Sequence, residues 1–442
     1  MHMTAREMAL KAIAASRKSG AWADIFLDNL IKKEEPDPRD AALATKICYG
    51  VLQNASLCDF YISAYSTSVK PDKMEPLVAD ILRLSVYQIL FLTKIPESAA
   101  VNEGVSLAKK YSNPGAAGLV NAVLRKITQN KNSLPEISAS DFAKYLSIKY
   151  SHPEWLVRQY LGEIGERECE EMLRLNNTQP LTDIQINTLK TNTQNVLEEL
   201  ENAGVNARMH PFLDDCLELT SPGDVTALRP FAEGRCYIQD AAARLAVIAA
   251  SPKPDMFIID GCAAPGGKSF SAAIAMQDRG TILSCDLHEK KLRLIENGAK
   301  RLGIDIIGTR CLDGRSEAPE LLQKADLVIA DVPCSGLGVI GKKPDIRMKS
   351  ESEISGLPAV QYDILQNLSK YVKPGGVLLY STCTVLKREN EDVTDRFVSE
   401  NPDFEYINFI LPGIGDTAGK ITLWPQRQGT DGFYISKLRR RG

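Results

Sequence analysis

The sequence predicts three domains: an all-α amino-terminal domain, a small α+β middle domain and a carboxyl-terminal α/β domain with a mainly parallel sheet. The chain has 442 residues, which is more than one ordinary hydrophobic core accommodates. Apolar residues recur with helical spacing through the first third, whereas strand-like apolar runs alternate with helical segments from about Gly234. We place the domain boundaries at 1–140, 150–232 and 233–442.

The first domain is predicted to be a helical bundle. Thr4 and Glu7 form a capping-box pattern that opens a helix. Residues 78–92 repeat apolar side chains at the spacing of one helix face. Further helices are predicted over 39–65, 101–111 and 116–127. No catalytic constellation is visible in these segments, so we expect the bundle to pack against or bind a partner.

The middle domain is predicted to follow a polar linker near residues 129–140. Its expected elements are a helix over 154–176, a strand in 183–189, a helix that ends at Gly204, and two short strands in 205–210 and 216–220. This pattern indicates a small α+β unit, and the sequence of the unit does not by itself indicate a function.

The composition excludes several classes of protein. No apolar run is long enough to cross a bilayer and the start lacks the pattern of a secretory signal, so we expect a cytoplasmic protein without a membrane partner. Ten cysteines without a CxxC pair and four histidines without HExxH predict no metal site. The net charge is −3, yet residues 1–140 hold 17 Lys and Arg against 14 Asp and Glu, a surplus of +3 that permits RNA binding.

The third domain is predicted to bind its ligand at the carboxyl ends of parallel strands. The strand candidates are near-continuous apolar runs at 256–260, 281–286, 325–332 and 375–382. The first runs into the glycine-rich turn 260–268, which matches neither the dinucleotide nor the phosphate-binding pattern. The second ends at Asp286, a place where an acidic residue commonly binds ribose hydroxyls. The glycine-rich turn and Asp286 together favour a nucleoside-containing cofactor without pyrophosphate.

Two cysteines follow strands that are expected to be neighbours. Cys334 comes just after the strand that ends near Asp331, and Cys383 follows the next strand. Either cysteine alone is more often a buried thiol, but their joint placement at one sheet edge favours a catalytic role. Asp313 follows a short strand candidate at 308–313 and is expected at the same edge.

Several segments resemble known families. DGCAAPGGKS, DVPCSGLG and YSTCT resemble the signature motifs of the Nop2/Sun or NOL-type RNA 5-methylcytosine methyltransferases. LRLSVYQILFL, IPESAAVNEGVSLAKKY and LVNAVLRKI are similar to NusB, a helical RNA-binding antitermination protein. A NusB-like domain joined to such a methyltransferase is the arrangement of the RsmB family, which acts on carbon 5 of a cytosine in 16S rRNA. The resemblance covers nearly the whole chain.

The resemblance implies a Rossmann-like class I methyltransferase fold for the third domain, RNA-binding roles for the other two, and S-adenosyl-L-methionine as the cofactor. Cys383 would be the covalent nucleophile, and Cys334 would help to release the product. Asp331 would lie beside the methyl donor and the target base. Lys268 would orient the base or cofactor, or alternatively form a salt bridge that fixes its loop. The implied cofactor-binding residues are Cys262, Ala263, Ala264, Pro265, Gly266, Gly267, Lys268, Asp286 at the ribose, Asp313 at the adenine edge and Asp331.

Two departures from the family pattern are visible. Gln185-Ile186-Asn187 stands where the family usually has Arg-Val-Asn, and Ala243 replaces a common serine. Neither position belongs to the implied catalytic set.

The implied partner is 16S rRNA of the small ribosomal subunit, bound by a monomer before assembly is complete. The same reaction on tRNA or another rRNA is an alternative, as is a non-catalytic RNA-binding or antitermination factor. A DNA cytosine methyltransferase would use the PC cysteine as nucleophile and would not need Cys383, and a nicotinamide dehydrogenase would need a phosphate-binding fingerprint that is missing. Lys342, Lys343 and Arg347 are expected either to contact RNA phosphates or to form a solvated charge cluster.

Overall fold

The computed structural model describes residues 3–19 and 23–442, and the chain divides into two compact units. One unit comprises Met1–Thr178 and Ile340–Glu351, and the other comprises Gln179–Val339 and Ser352–Gly442. The boundaries of the three predicted domains stay a prediction. In the part of the chain that is described, no helix has the length and apolar character needed to cross a membrane.

The first unit is built from helices, as predicted for residues 1–140, and it also contains the helix predicted over 154–176 in the middle domain. They are α1 Ala5–Ser19, α2 Ala23–Glu34, α3 Pro38–Tyr65, α4 Pro76–Phe91, α5 Glu97–Tyr111, α6 Pro114–Gln129, α7 Phe142–Tyr150 and α8 Glu154–Leu175. The predicted capping box opens α1, because the amide of Glu7 donates to Thr4 Oγ1 (3.2 Å) and the amide of Thr4 donates to Glu7 Oε2 (3.1 Å). The apolar faces of α1 and α3–α6 share one core.

The second unit contains two main sheets. Its strands are β1 Thr182–Ile186, β2 Ala207–Met209, β3 Cys216–Leu219, β4 Cys236–Ile238, β5 Phe257–Asp260, β6 Thr281–Asp286, β7 Ile307–Cys311, β8 Ala325–Asp331, β9 Val372–Thr382, β10 Phe404–Tyr406, β11 Phe409–Leu411, β12 Gly415–Thr417, β13 Lys420–Leu423 and β14 Phe433–Arg440. The remaining helices are α9 Thr193–Asn202, α10 Arg229–Ala232, α11 Ala241–Ala250, α12 Gly267–Ala275, α13 Glu289–Leu302, α14 Glu351–Ile354, α15 Leu357–Ser369, α16 Glu391–Glu400 and α17 Pro425–Gln428.

The smaller sheet has the strand order β2-β3-β1-β4, and β1 is antiparallel to both of its neighbours. Two residues of the segment Gln185-Ile186-Asn187 have structural roles: Gln185, which departs from the family pattern, and Asn187, which matches it. Gln185 is buried and its Nε2 donates to the carbonyl of Gln239 (2.9 Å). The Asn187 side chain donates to the carbonyls of Gly234 (2.9 Å) and Leu302 (2.8 Å), which ends β1 earlier than the predicted strand.

The larger sheet has the order β10-β14-β9-β8-β5-β6-β7, with β13 beside β14. Strands β9, β8, β5, β6 and β7 are parallel, whereas β14 runs antiparallel to β9. The chain order reverses at β5, because β6 and β7 lie on one side of it and β8 and β9 on the other. In open sheets of this kind ligands bind outside the carboxyl ends of the strands at such a reversal. The predicted α/β fold is confirmed.

Candidate active site

A glycine-rich loop joins β5 to α12 at the point of reversal. The amide of Ala263 donates to the carbonyl of Cys285 on the neighbouring strand (2.8 Å), which holds the loop against the sheet. Gly266 has a φ of +113°, and a Cβ there would lie 2.5 Å from Cζ of Phe270, so the turn requires glycine. The loop therefore gathers the predicted cofactor residues 262–267 at the carboxyl edge of the sheet.

Two carboxylates lie beside this loop. Asp260 ends β5 and is fully buried; Ser269 Oγ donates to its Oδ2 (2.7 Å), while Oδ1 has no hydrogen-bond partner among the described residues. Burial raises the pKa of Asp260 to about 7. Asp286 ends the adjacent parallel strand β6, and one of its oxygens accepts from the amide of His288 (2.9 Å). Both carboxyl groups thus belong to the same edge.

Asp313 follows β7, and its carboxylate forms an ion pair with Arg315. Its Oδ1 accepts from the amide (2.9 Å) and Nε (3.1 Å) of Arg315, and its Oδ2 accepts from the same guanidinium (2.9 Å). The hydrogen bond from the Arg315 side chain is the main cause that lowers the pKa of Asp313. Any role at an adenine edge must therefore be compatible with this ion pair.

The two predicted cysteines meet at the ends of β8 and β9. These strands are parallel neighbours, with Asp331 paired opposite Ser381. Cys334 Sγ and Cys383 Sγ are 3.1 Å apart, and both residues are partly exposed. The hydrogen bond from Cys334 is the main cause that lowers the pKa of Cys383, and the same bond raises the pKa of Cys334. The pair therefore favours a thiolate on Cys383 and a thiol on Cys334.

An ion pair stands next to the cysteines. Lys268 Nζ is 2.7 Å from Asp331 Oδ2, and Ser381 Oγ donates to Asp331 Oδ1 (2.7 Å). The Lys268 ammonium also lies 5.0 Å from the ring centroid of Phe433. The salt bridge considered for Lys268 is thus present. After the hydrogen bond with Cys334, which lowers the pKa of Cys383, burial and the charge of Asp331 raise that pKa, and the charge of Lys268 lowers it to a lesser extent.

Three loops are tied together behind Cys383 by two glycines. The amide of Gly338 donates to the carbonyl of Cys383 (3.0 Å), and the amide of Gly432 donates to the carbonyl of Gly338 (2.9 Å). A Cβ on Gly338 would lie 1.8 Å from the oxygen of Gly432 and 2.9 Å from that of Cys383. Only a glycine lets the three backbones approach this closely.

Gly338→Ala is expected to destabilise the second unit by about 1–3 kcal/mol, because its methyl group overlaps fixed backbone atoms. Urea unfolding, compared with wild type, measures the loss. Gly356→Ala is the matched control, since a Cβ at Gly356 meets no atom within 4 Å. Equal midpoints for the Gly338 variant and wild type would show that this close approach does not exist in solution.

Sequence reasoning missed the residues that hold the cysteine loops from behind. Glu389 is fully buried, and its Oε2 accepts from the amide of Ser335 (2.9 Å) and from Gln361 Nε2 (2.9 Å). The stretch Lys387-Arg388-Glu389 reads as a charged surface turn. The apolar residues immediately before it were the one available signal that the chain stays near the core there.

The structure overturns the expectation for Arg347. Its side chain is only 7% exposed and donates to the backbone carbonyls of Gln53, Tyr150, Ser151 and Asn176 at 2.8–3.3 Å. The backbone of Asn54 has non-helical dihedral angles, which interrupt α3. The amide of Leu57 therefore donates to the hydroxyl of Ser151 rather than to the carbonyl of Gln53, and that carbonyl accepts from Arg347 instead. Arg347 therefore satisfies buried carbonyls within the first unit, and neither phosphate contact nor a solvated cluster describes it. For Lys342 and Lys343, contact with RNA phosphates or a place in a solvated charge cluster stays a prediction.

Comparisons with known proteins identify the family of the chain. The sequence matches the family of 16S rRNA methyltransferases RsmB/F over residues 247–439, the NusB family over 3–129, and the ferredoxin-like domain of RsmF/B-like methyltransferases over 152–226. The crystal structure of PH0851 is similar with a TM-score of 0.82 and 27% identity, covering 100% of both chains. A methyltransferase homologue from Pyrococcus horikoshii has a TM-score of 0.59 and 26% identity over 68% of this chain and 99% of its own.

Relatives of the same length carry the most informative names. The probable ribosomal RNA small subunit methyltransferase B of Bacillus subtilis is 34% identical over 99% of both chains. The ribosomal RNA small subunit methyltransferase B of Salmonella paratyphi A is 32% identical over 98% of both chains. With a NusB-like region, a ferredoxin-like region and a methyltransferase region in this order, the chain belongs to the RsmB/F family of 16S rRNA methyltransferases.

Proposed function

We propose that this protein transfers a methyl group from S-adenosyl-L-methionine to carbon 5 of one cytosine in 16S rRNA, through a covalent bond between Cys383 and carbon 6. The observation that carries the proposal is the cysteine pair, with its sulfurs 3.1 Å apart beside the Lys268–Asp331 ion pair. A methyl transfer to oxygen or nitrogen needs no thiolate in the site. A poorly nucleophilic carbon does need one, because addition of sulfur at the neighbouring carbon activates it.

The residues at the sheet edge fit the proposed cofactor. When bound, S-adenosyl-L-methionine supplies an electrophilic methyl group. The loop 262–267 offers close backbone approach without a phosphate cradle, as a nucleoside cofactor without pyrophosphate requires. Asp286 would accept hydrogen bonds from the ribose, and Asp313, held by Arg315, would face the adenine edge. The unpartnered oxygen of Asp260 would accept a further polar group.

The chain's own groups account for the steps on the base. The Cys383 thiolate attacks carbon 6, forming an S–C bond while the electrons of the 5,6 double bond move to carbon 5. Asp331 would hydrogen-bond the base near nitrogens 3 and 4, and Lys268 would hold that carboxylate in place. After methylation, a water molecule would take the carbon 5 proton, and the Cys334 thiol would donate a hydrogen bond to the departing sulfur of Cys383. The electrons of that C–H bond restore the double bond as the S–C bond breaks.

The base must reach Cys383 unstacked, because carbon 6 is inaccessible within a helix. We propose that the NusB-like domain, assigned to 1–140, and the middle domain, assigned to 150–232, bind the surrounding rRNA. The protein would act as a monomer on rRNA that has not completed subunit assembly. The methyltransferase domain, assigned to 233–442, then supplies the pocket for the single cytosine.

Asp286→Ala is expected to weaken binding of S-adenosylhomocysteine by roughly 10- to 100-fold, because hydrogen bonds to a charged acceptor contribute about 1.5–3 kcal/mol. Isothermal titration calorimetry measures this affinity, and RNA affinity should be unchanged in a filter-binding assay. Asp416→Ala, at an exposed carboxylate, is the control. Unchanged cofactor affinity in the Asp286 variant would reject the assignment.

The test of the whole proposal is transfer of labelled methyl from S-adenosyl-L-methionine to 16S, 23S and tRNA transcripts and to small-subunit assembly intermediates. We expect label in 16S rRNA, at carbon 5 of one cytosine when the nucleoside is analysed by mass spectrometry. Label confined to tRNA or 23S would keep the reaction and change the substrate. Label on a nitrogen or a ribose oxygen would overturn the covalent mechanism, and no label on any RNA would favour a binding role.

A further inference from the structure

Glu389 is a buried carboxylate with no role in the reaction described above. It lies in the turn that follows β9 and is 0% exposed. Oε2 accepts two hydrogen bonds, while Oε1 is buried without a partner among the described residues. A buried carboxylate with one unpartnered oxygen is costly to fold, so its presence beside a reactive pair calls for a reason.

The contacts of Glu389 bracket Cys334 in the chain. Its Oε2 accepts from the amide of Ser335, the residue after the cysteine. Gln361 Nε2 donates to the same oxygen and also to the carbonyl of Pro333 (3.0 Å), the residue before it. The hydroxyl of Tyr380 donates to the Glu389 carbonyl (2.6 Å), which holds the turn itself on β9. The carboxylate thus fixes the backbone on both sides of one sulfur of the pair.

The charges around the two sulfurs are arranged unevenly. Cys334 has Glu389 and the hydroxyl of Tyr380 near it. Cys383 has the Lys268–Asp331 ion pair near it, in which the charge of Asp331 raises the pKa of Cys383 and the charge of Lys268 offsets part of that effect. The bond to Cys383 and burial are the main causes that raise the pKa of Cys334, and the charge of Glu389 raises it further. Negative charge beside Cys334 disfavours a second negative charge on its sulfur.

We infer that Glu389 is a positioning residue that keeps the proton shared by the two cysteines on Cys334, so that the thiolate is on Cys383. The inference rests on the proposed roles of the two cysteines. When one of the two cysteines has lost its proton to solvent, the resulting thiol and thiolate share the remaining proton, and without an asymmetric charge either sulfur can carry it. Glu389 thereby selects which cysteine attacks carbon 6.

The test is alkylation of the full-length protein with iodoacetamide between pH 5 and 10, read separately for each cysteine. Cys334 and Cys383 fall in different tryptic peptides, 325–342 and 371–387, so mass spectrometry follows the two rates independently. In the wild type we expect Cys383 to react at least about tenfold faster than Cys334 at pH 7, since the thiolate is the reactive form and one pKa unit is a factor of ten.

In Glu389→Gln the charge is lost and an acceptor oxygen is kept. We expect the pH midpoint of Cys334 to fall, that of Cys383 to rise, and the rate ratio to drop to within about threefold. Glu389→Asp, which restores the charge, should recover the preference for Cys383. Asp392→Asn removes an exposed carboxylate three residues away and is the matched control. In a Cys334→Ala background, Glu389→Gln should leave the Cys383 midpoint unmoved, because Glu389 acts through Cys334.

The outcomes separate this inference from the proposed function. Preferential reaction of Cys383 that persists in Glu389→Gln, with unchanged midpoints, overturns the role of Glu389 and leaves the nucleophile assignment intact. Preferential reaction of Cys334 in the wild type overturns the assignment of the nucleophile itself. If Glu389→Gln shifts the pH midpoint of Cys383 equally in the presence and absence of Cys334, Glu389 affects Cys383 by loosening the fold. That result also contradicts the inference.

Discussion

Cys383→Ala is expected to lower methyl transfer to 16S rRNA by a factor on the order of 10⁴ or more, because it removes the atom that activates carbon 5. Binding of S-adenosylhomocysteine and of RNA should stay within about twofold of wild type. The residue is small and partly exposed, so its replacement leaves the core unchanged. Label transfer under single-turnover conditions measures the loss.

The control for this prediction is Cys311→Ala, which removes an exposed thiol at the end of β7. RNA that contains 5-fluorocytidine gives a second readout, because fluorine at carbon 5 prevents the final elimination and leaves the adduct on the enzyme. Wild type should form that adduct and Cys383→Ala should not. Residual methylation above a tenth of the wild-type rate would mean that the reaction does not pass through Cys383.

Cys334→Ala is expected to accumulate a covalent complex between protein and RNA, because attack and methylation proceed while release is slowed. We expect the complex to appear as a band of reduced mobility in a denaturing gel, at a level at least about tenfold above that of wild type. Since the hydrogen bond between the two sulfurs is the main cause that lowers the pKa of Cys383, its loss should also move the optimum for adduct formation to higher pH.

The double variant Cys334→Ala/Cys383→Ala discriminates between the two cysteines and should form no adduct. Peptide mapping of the trapped complex should place the modified residue at Cys383. Adduct formation by Cys383→Ala alone would reverse the two roles and would match the arrangement expected of a DNA-type cytosine methyltransferase. Full turnover by Cys334→Ala without an adduct would remove Cys334 from product release.

Much of the fold follows from local sequence. The capping box at Thr4 and Glu7, the helical spacing in 78–92 and the apolar runs of the parallel strands are all present in the structure. These features are short-range, so periodicity and caps report them directly. The strand-end positions of Asp286, Asp331 and Cys383 are likewise local, because a parallel strand has only one carboxyl end.

The arrangement of the candidate site required the tertiary structure. The sequence predicted that β8 and β9 are neighbours, and the structure confirms it, but the hydrogen-bond contact between Cys334 and Cys383 depends on how the loops after these strands fold. Arg347 and Glu389 both read as surface charges, and both are buried. The hydrogen-bond partners of both side chains lie more than 20 positions away in the chain, which no local pattern encodes.

The sequence by itself predicted the kinds of domain, the candidate site residues and the sheet edge at which they lie. Only the tertiary structure decided which charge faces which sulfur, and which glycine permits three backbones to meet behind Cys383. The physical reason is the range of the interactions. Hydrogen bonding within helices and alternation along strands act over a few residues, whereas burial, charge placement and close backbone approach depend on segments that only folding brings together.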